Sequence, residues 1–358
     1  MIPVASPIIG DEERAAVDRV LRSGMLAQGP EVAAFEEEFS HHVASRHCIA
    51  VNSGTSALHM SLIALGLKPG DEVIVPSFTF AATANSVVLA GGVPVFVDIE
   101  PTYFCADPSA IEAAITDRTV AIMPVHLYGH PASMTRIIDI AKKHGLFISE
   151  DAAQAHEASW NGTPVGALGD VASFSFYPTK NMTAGEGGMV TTGNADTART
   201  VRLLRNQGME KRYENEIVGF NTRMTDIHAA IGRVQLTKLR GWTAQRQANA
   251  QFLNDNIRGV VTPATAPEAT HTFHQYTIRV VGMDRDVFSS KLTEMGIGNG
   301  VYYPIPVHRL PSFGLTTHLP CTEEVAKDCL SLPVHPLLTQ DNLESIVEAV
   351  NKLASAGA

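Results

Sequence analysis

The feature that most constrains this chain is an alternation. Short β-branched runs at 48–51, 71–75, 93–97, 120–125 and 146–149 are separated by stretches with helical spacing, such as 56–65 and 134–144. Nearly continuous apolar strands interleaved with helices bury both of their faces, which predicts an α/β fold with a mostly parallel sheet covered on two sides. Two helices precede it, at 11–22 and about 31–44, divided by the loop from Gly24 to Pro30. After Gly162 the strands come closer together, with 171–176 and 188–192 flanking a polar, Gly-rich turn, and the amphipathic stretch 225–250 reads as the exit helix. The remainder mixes a strand at 275–281 with helices near 285–295, 323–329 and 341–354. The expectation is a large domain over 1–244 and a smaller α+β domain over 245–358. No repeat, low-complexity tract or long linker divides them, so close packing is expected.

Composition bounds the function. With 358 residues, 45% of them hydrophobic and 18% charged, the chain can bury large cores. Lys and Arg number 27 against 37 Asp and Glu, a net charge of −10, which argues against a broad footprint on nucleic acid. Four cysteines without a C-x-x-C pair indicate neither a disulfide framework nor a cysteine zinc site, and fit a reduced cytoplasm. The N-terminus lacks a basic start followed by an apolar core, and no run approaches twenty apolar residues, so a soluble, unexported protein is expected with no membrane partner. The pairs His126/His130 and His271/His274 have spacings that a metal on a helix could use. The first straddles a glycine turn and neither has a nearby acidic third ligand, so no metal site is expected.

Three segments carry chemistry. Asn52-Ser53-Gly54-Thr55-Ser56-Ala57-Leu58 follows a strand and opens a helix. Gly54 allows close backbone approach there, and the first amides point outward with the helix dipole behind them, which makes a phosphate cradle. A plain N-cap is the alternative. No Gly-Lys-Ser/Thr follows, so it is not a nucleoside-triphosphate loop. Glu150, Asp151 and Gln154 fall at the carboxyl end of a buried strand, where open α/β sheets hold ligands. An acid there needs a cation or hydrogen bonds, unless it is a helix N-cap. Lys180 lies beyond an apolar strand and a Pro turn, next to Gly185-Glu186-Gly187-Gly188. A partly desolvated amine there deprotonates more easily and becomes a nucleophile towards carbonyls, whereas an ordinary loop lysine is solvated. A phosphate cradle, an acid for a protonated pyridine nitrogen and a lysine able to form a Schiff base are together what pyridoxal phosphate chemistry asks of a protein.

These segments, in this order, resemble the DegT/DnrJ/EryC1/StrS family of sugar aminotransferases. The resemblance runs through Leu21-Arg22-Ser23-Gly24, Gln28-Gly29-Pro30, NSGTSAL at 52–58, Pro69-Gly70-Asp71-Glu72-Val73, PSFTFAATAN at 76–85, PVHLYG at 124–129, EDAAQAH at 150–156, SFYPTKN at 175–181, GEGGMV at 185–190 and Gly219-Phe220-Asn221-Thr222-Arg223-Met224. It implies the aspartate-aminotransferase-like fold (fold type I), with a mostly parallel sheet of seven-stranded type and a smaller C-terminal domain, and pyridoxal 5'-phosphate as cofactor.

Carried over by this resemblance, Lys180 would bond the cofactor and shuttle the proton, Asp151 would pair with the pyridine nitrogen, and Gln154 would reach the phenolic oxygen. Gly54, Thr55 and Ser175 would bind the phosphate, and Phe80 would stack on the ring, although a core aromatic is the alternative for Phe80. Asn221 would reach the phosphate of a neighbouring subunit, which implies a homodimer with shared active sites. Arg223 is a candidate for an anionic group of substrate or donor, with a structural ion pair as the alternative, and His308 sits in a segment that borders the site in relatives. The implied reaction moves an amino group from L-glutamate to a keto group of a nucleotide-linked sugar. The GEGGMV turn is similar to relatives acting on 4-keto-6-deoxy sugars, while a C-3 ketosugar or a cyclitol ketone stays open. Related dehydratases typically carry histidine in place of the lysine, so Lys180 favours transamination over that chemistry and over a non-catalytic regulatory role. Two departures stand out: Glu157, where relatives commonly have glycine, and Phe104-Cys105, in a loop that relatives fill with small polar residues.

Overall fold

The computed structural model describes residues 1–44 and 46–357. Ser45 and Ala358, which fall inside the expected domain ranges, lie outside the described residues. The chain runs through α1 (Asp11–Ser23), α2 (Pro30–Ser40), β1 (His47–Val51), α3 (Gly54–Ala64), β2 (Glu72–Pro76), α4 (Ala82–Leu89), β3 (Val93–Val97), α5 (Pro108–Ala113), β4 (Thr119–Ile122), α6 (Met134–His144) and β5 (Phe147–Asp151). It continues through β6 (Ser159–Trp160), β7 (Thr163–Pro164), β8 (Val171–Ser175), β9 (Gly188–Thr192), α7 (Ala195–Arg205) and α8 (Asp226–Asn256). The last stretch holds β10 (Ala269–Thr270), β11 (Tyr276–Arg279), α9 (Arg285–Glu294), α10 (Pro320–Asp328), β12 (Cys329–Leu332) and α11 (Gln340–Gly357).

Seven of these strands form one sheet in the order β1-β9-β8-β5-β4-β2-β3. β2, β3, β4, β5 and β8 pair in parallel, and only β9 runs against its neighbours, so the expected mostly parallel, seven-stranded sheet is what the chain builds. Because β9 is the single reversed strand, β1, β2, β4, β5 and β8 all end on the same edge.

Burial explains the helices that composition hides. α4 is apolar on nearly all sides, with Ala82, Ala84 and Val87 buried, so it carries little amphipathic signal. α7 buries Ala198, Val201 and Leu204 at helical spacing and opens on a cap, Asn194, whose side chain accepts from the Asp196 and Thr197 amides. Under β8, Phe35 and Phe39 of α2 pack on Phe174 and Phe176, with Phe35 and Phe176 ring centroids 5.1 Å apart. α2 is also anchored at its start: buried Asp226 accepts from the Gly29 amide at 2.8 Å and the Val32 amide at 3.1 Å, so the first residue of α8 satisfies the amino end of α2.

α8 continues past the expected end at 250, because Ala250 and Leu253 stay buried in a core with Tyr276, Ile278, Leu330, Leu332, Ile346 and Val350. It therefore crosses residues 244 and 245 without a break. The helix expected at 323–329 begins earlier, with Pro320 in its first turn, and Cys329 already belongs to β12, paired with β11. Phe104 and Cys105 are core residues here, with the Phe104 ring 5.8 Å from that of Tyr128. Glu157 sits at φ 65, a left-handed conformation that glycine adopts freely, and its carboxylate lies 2.6 Å from His42 Nδ1.

Candidate active site

A cavity of about 570 Å³ opens at the carboxyl edge of the sheet. Gly54, Thr55, Phe80, Asp151, Gln154, Ser175 and Lys180 all line it, so seven of the residues singled out from the sequence share one space.

One end is a helix start. Ser53 caps α3 by accepting the Ser56 amide at 3.1 Å, no acid stands in the first turn, and the leading amides have no acceptor within the helix. A Cβ on Gly54 would come within 2.8 Å of Ser175 Cβ, and one on Gly188 within 2.3 Å of the Ser53 carbonyl oxygen. Glycine at both positions is what lets α3 sit tight against β8 and β9, with the Ser175 hydroxyl beside the helix start.

The other end holds the acid. Asp151, the last residue of β5, is buried, which pushes its carboxyl pKa up, opposed by the Thr83 hydroxyl, the Ala153 amide and the Lys180 charge. Thr83 Oγ1 donates to Asp151 Oδ2 at 2.7 Å, and the Ala153 amide donates to Oδ1 at 3.2 Å. Beside it, Gln154 Oε1 accepts from the Tyr128 amide at 2.7 Å, which leaves the side-chain nitrogen as the end that meets Tyr303 Oη at 2.6 Å. The neighbouring Glu150 faces away from the cavity. His126 Nδ1 accepts from the Ala132 amide, so Nε2 carries the proton and donates to Glu150 at 2.9 Å, while the Gly166, Leu168 and Gly169 amides complete that carboxylate's shell.

Lys180 closes the turn after β8, with its amide on the Tyr177 carbonyl at 3.0 Å. Burial pushes its amine down to about 8, against the raising effect of the Asp151 charge. Among the described residues, no other lysine and no arginine lines the cavity. Phe80 is 62% exposed, so its ring is not a core aromatic of the protomer.

Three predicted residues lie elsewhere in the protomer. Asn221 is exposed, bridged to Asn206. Arg223 donates to Asn206 Oδ1 at 2.9 Å rather than to a carboxylate. His308 is buried, its Nδ1 2.6 Å from Ser77 Oγ and its Nε2 3.4 Å from Glu323, behind the cavity wall. Conversely, sequence reasoning missed Thr79, Glu186, His274, Gln275, Tyr302 and Tyr303, which all line the cavity. From sequence, His274 stands out only as half of a metal-spaced pair, and Tyr302 and Tyr303 fall in the segment that contains His308. The signal for the tyrosines was that segment, in which they stand six and five residues before His308. Among the described residues no group of three or more His, Cys, Asp or Glu is placed to hold a metal. His130 instead stacks on Tyr103 at 4.5 Å and His271 on Phe273 at 3.8 Å. No helix among the described residues is long and apolar enough to cross a membrane.

Comparison with known proteins gives the family. Residues 7–351 match the DegT/DnrJ/EryC1/StrS aminotransferase family. Over 351 residues the chain is 41% identical to a dTDP-3-amino-3,4,6-trideoxy-alpha-D-glucose transaminase of Streptomyces venezuelae, covering 96% of this chain and 92% of that protein. It is also 42% identical, over 344 residues, to a pleiotropic regulatory protein of Geobacillus stearothermophilus, covering 93% of this chain and 92% of that one. Among solved structures, NtdA of Bacillus subtilis with bound cofactor PMP is similar with a TM-score of 0.90 at 33% identity, covering 97% of this chain and 83% of that one. The chain belongs to the DegT/DnrJ/EryC1/StrS aminotransferase family, has the fold of its pyridoxal-phosphate enzymes and is an aminotransferase, for which pyridoxal phosphate is the implied cofactor.

Proposed function

We propose that this chain moves an amino group from L-glutamate to a keto group of a nucleotide-linked sugar, using pyridoxal 5'-phosphate held in the cavity at the sheet edge. The observation that carries the reading is the convergence of three unlike groups on one space: a helix start free of acids, a buried carboxylate and a lysine amine pushed down to about 8. They fit the cofactor's three chemical features: its phosphate, its basic ring nitrogen and its aldehyde.

Gly54, Thr55 and Ser175 would hold the phosphate through helix amides and hydroxyls. Phe80, exposed on the rim, offers its face to the ring. Asp151 would keep the ring nitrogen protonated, and the Gln154 amide nitrogen would donate to the phenolic oxygen. The bound cofactor supplies an aldehyde that accepts an amino group and a ring that withdraws electrons from the donor carbon. The Lys180 amine would take the proton from the donor carbon and return it to the cofactor's aldehyde-derived carbon, two bonds away across the transferred nitrogen, work suited to an amine held near 8. In the second half-reaction the same amine would move the proton in the opposite direction, onto the carbon that had been the ketosugar's carbonyl.

Asn221 enters the proposal through a second copy: exposed on one protomer, it would reach the phosphate end of its neighbour's cavity, in a homodimer with shared sites. Arg223 lies two residues further on and would act only from the same side. The division into a cofactor-bearing part to residue 244 and a C-terminal part from 245 is kept as part of this reading. The GEGGMV turn favours a 4-keto-6-deoxy sugar. A C-3 ketosugar is the second reading, favoured by the 3-amino sugar in the name of the Streptomyces relative.

The test is spectroscopic. Cofactor-loaded protein should be yellow, L-glutamate should bleach it with release of one equivalent of 2-oxoglutarate, and a nucleotide-linked ketosugar should restore the colour. Paired 3-keto and 4-keto substrates separate the two readings. Bleaching that no nucleotide-linked ketosugar reverses would overturn the proposed acceptor.

A further inference from the structure

The segment Thr79-Phe80-Ala81-Ala82-Thr83 presents more than the Phe80 ring. Thr79 and Thr83 are buried, one turn apart, and their hydroxyls form a chain that ends on Asp151. Thr83 Oγ1 lies 2.7 Å from Asp151 Oδ2, and Thr79 Oγ1 lies 2.9 Å from Thr83 Oγ1. An ionised carboxylate can only accept, so the single hydroxyl proton of Thr83 is committed to Asp151 and Thr79 must be the donor in the second bond. Every proton in the chain therefore points towards the acid.

This arrangement is not the usual one for threonine in a helix. Such hydroxyls commonly bond back to a carbonyl of the preceding turn, whereas Thr83 reaches a residue 68 positions away. A buried hydroxyl is also costly unless bonded, and valine would fill the same volume without that cost. The two oxygens of Asp151 are held unequally: Oδ2 has the short Thr83 bond, while Oδ1 has only the Ala153 amide at 3.2 Å. The main chain of Asp151 is fixed as well, its amide on the Pro124 carbonyl at 2.9 Å and its carbonyl accepting the His126 amide at 3.1 Å. What remains adjustable is the carboxylate's rotation, and Thr83 stops it.

We infer that Thr83, oriented by Thr79, is a positioning residue that locks the Asp151 carboxylate in its charged, ring-facing setting and so holds the proton on the cofactor's pyridine nitrogen. The inference rests on the proposed pairing of Asp151 with that nitrogen. Burial works against the charge on Asp151, and the Thr83 hydroxyl is the foremost group opposing it.

The experiment loads wild-type protein, Thr83→Val, Thr83→Ser, Thr79→Val and Asp151→Asn with pyridoxal phosphate labelled with ¹⁵N in the ring, and reads the nitrogen shift against pH. Thr83→Val should move the shift towards the unprotonated value at neutral pH and slow the L-glutamate half-reaction about 10- to 100-fold, the span expected for a hydrogen bond to a charged group, with the KM for glutamate little changed. Thr83→Ser should restore most of both, and Thr79→Val should act in the same direction with a smaller shift. A Thr83→Val enzyme with a wild-type shift and rate, beside an Asp151→Asn enzyme that has lost ring protonation, would overturn the role of Thr83 alone. An unchanged shift in Asp151→Asn would overturn the underlying pairing. If Thr83→Val does not fold, Thr79→Val decides: an unmoved ring nitrogen there overturns the hydroxyl chain.

Discussion

The two walls of the cavity are built on different principles. The wall that faces the proposed cofactor comes from strand ends and one helix start: Gly54 and Thr55 after β1, Asp151 at the end of β5, Ser175 at the end of β8 and Lys180 one turn later. The opposite wall comes from irregular backbone late in the chain, namely His274, Gln275, Tyr302 and Tyr303, with Tyr303 held at φ 57. Sheet hydrogen bonds fix the first wall wherever the β-pattern persists. The second depends on how the C-terminal core seats its loops, so it can vary while the first stays. That division suits an enzyme whose cofactor chemistry is constant and whose acceptor is set by pocket shape.

The strongest way to break this comparison is at the strand ends. Lys180→Ala should abolish amino transfer in both half-reactions, a loss of at least about 10³-fold of the kind a general base and nucleophile supplies, while cofactor binding persists through the helix start. Residual turnover within tenfold of wild type would remove the lysine from its role. A gentler probe is pH. Burial holds the Lys180 amine near 8, below the ordinary 10.5. Capture of cofactor by the cofactor-free protein needs the neutral amine, so its rate should rise with pH through about 8; a midpoint near 10.5 would contradict the burial argument. The linkage has a definite sign. Between about 8 and 10.5 the unfolded chain holds a proton that the folded chain lacks, so stability rises with pH across that window, while below about 8 the burial cost is felt in full. The smallest expected effect lies on the second wall. Tyr302→Phe should raise the KM for the ketosugar by roughly three- to tenfold, the worth of one neutral hydrogen bond, and leave the glutamate half-reaction unchanged. Equal effects on both half-reactions would blur the distinction between the walls.

The same difference explains what could be read from the residues. The mostly parallel sheet, the helix start at Gly54 and the positions of Asp151 and Lys180 were legible because apolar runs end where ligand-binding residues begin, as at Ile148-Ser149-Glu150-Asp151, whereas the strand count and the parts given to Thr55, Phe80, Gln154 and Ser175 came only with the family resemblance. His274 was not, because a histidine in the mixed stretch Thr270-His271-Thr272-Phe273 has no periodic signature, and only folding brings it against the Lys180 loop, its Nδ1 3.2 Å from Asn181 Oδ1. His308 shows the reverse: its segment does border the cavity, but the residues that do so are Tyr302 and Tyr303, while His308 turns back to Ser77. Thr83 escaped notice because its partner is distant in sequence. Glu157 was flagged by pattern alone, and the backbone supplies the reason: a left-handed turn where glycine is the easy choice, tied here to His42.

The most direct test of the account is to reduce the yellow, cofactor-loaded protein with borohydride, digest it and map the added mass. The account expects a phosphopyridoxyl group on the peptide containing Lys180 and on no other lysine. A label on a different lysine, or a yellow protein that takes up none, would contradict it.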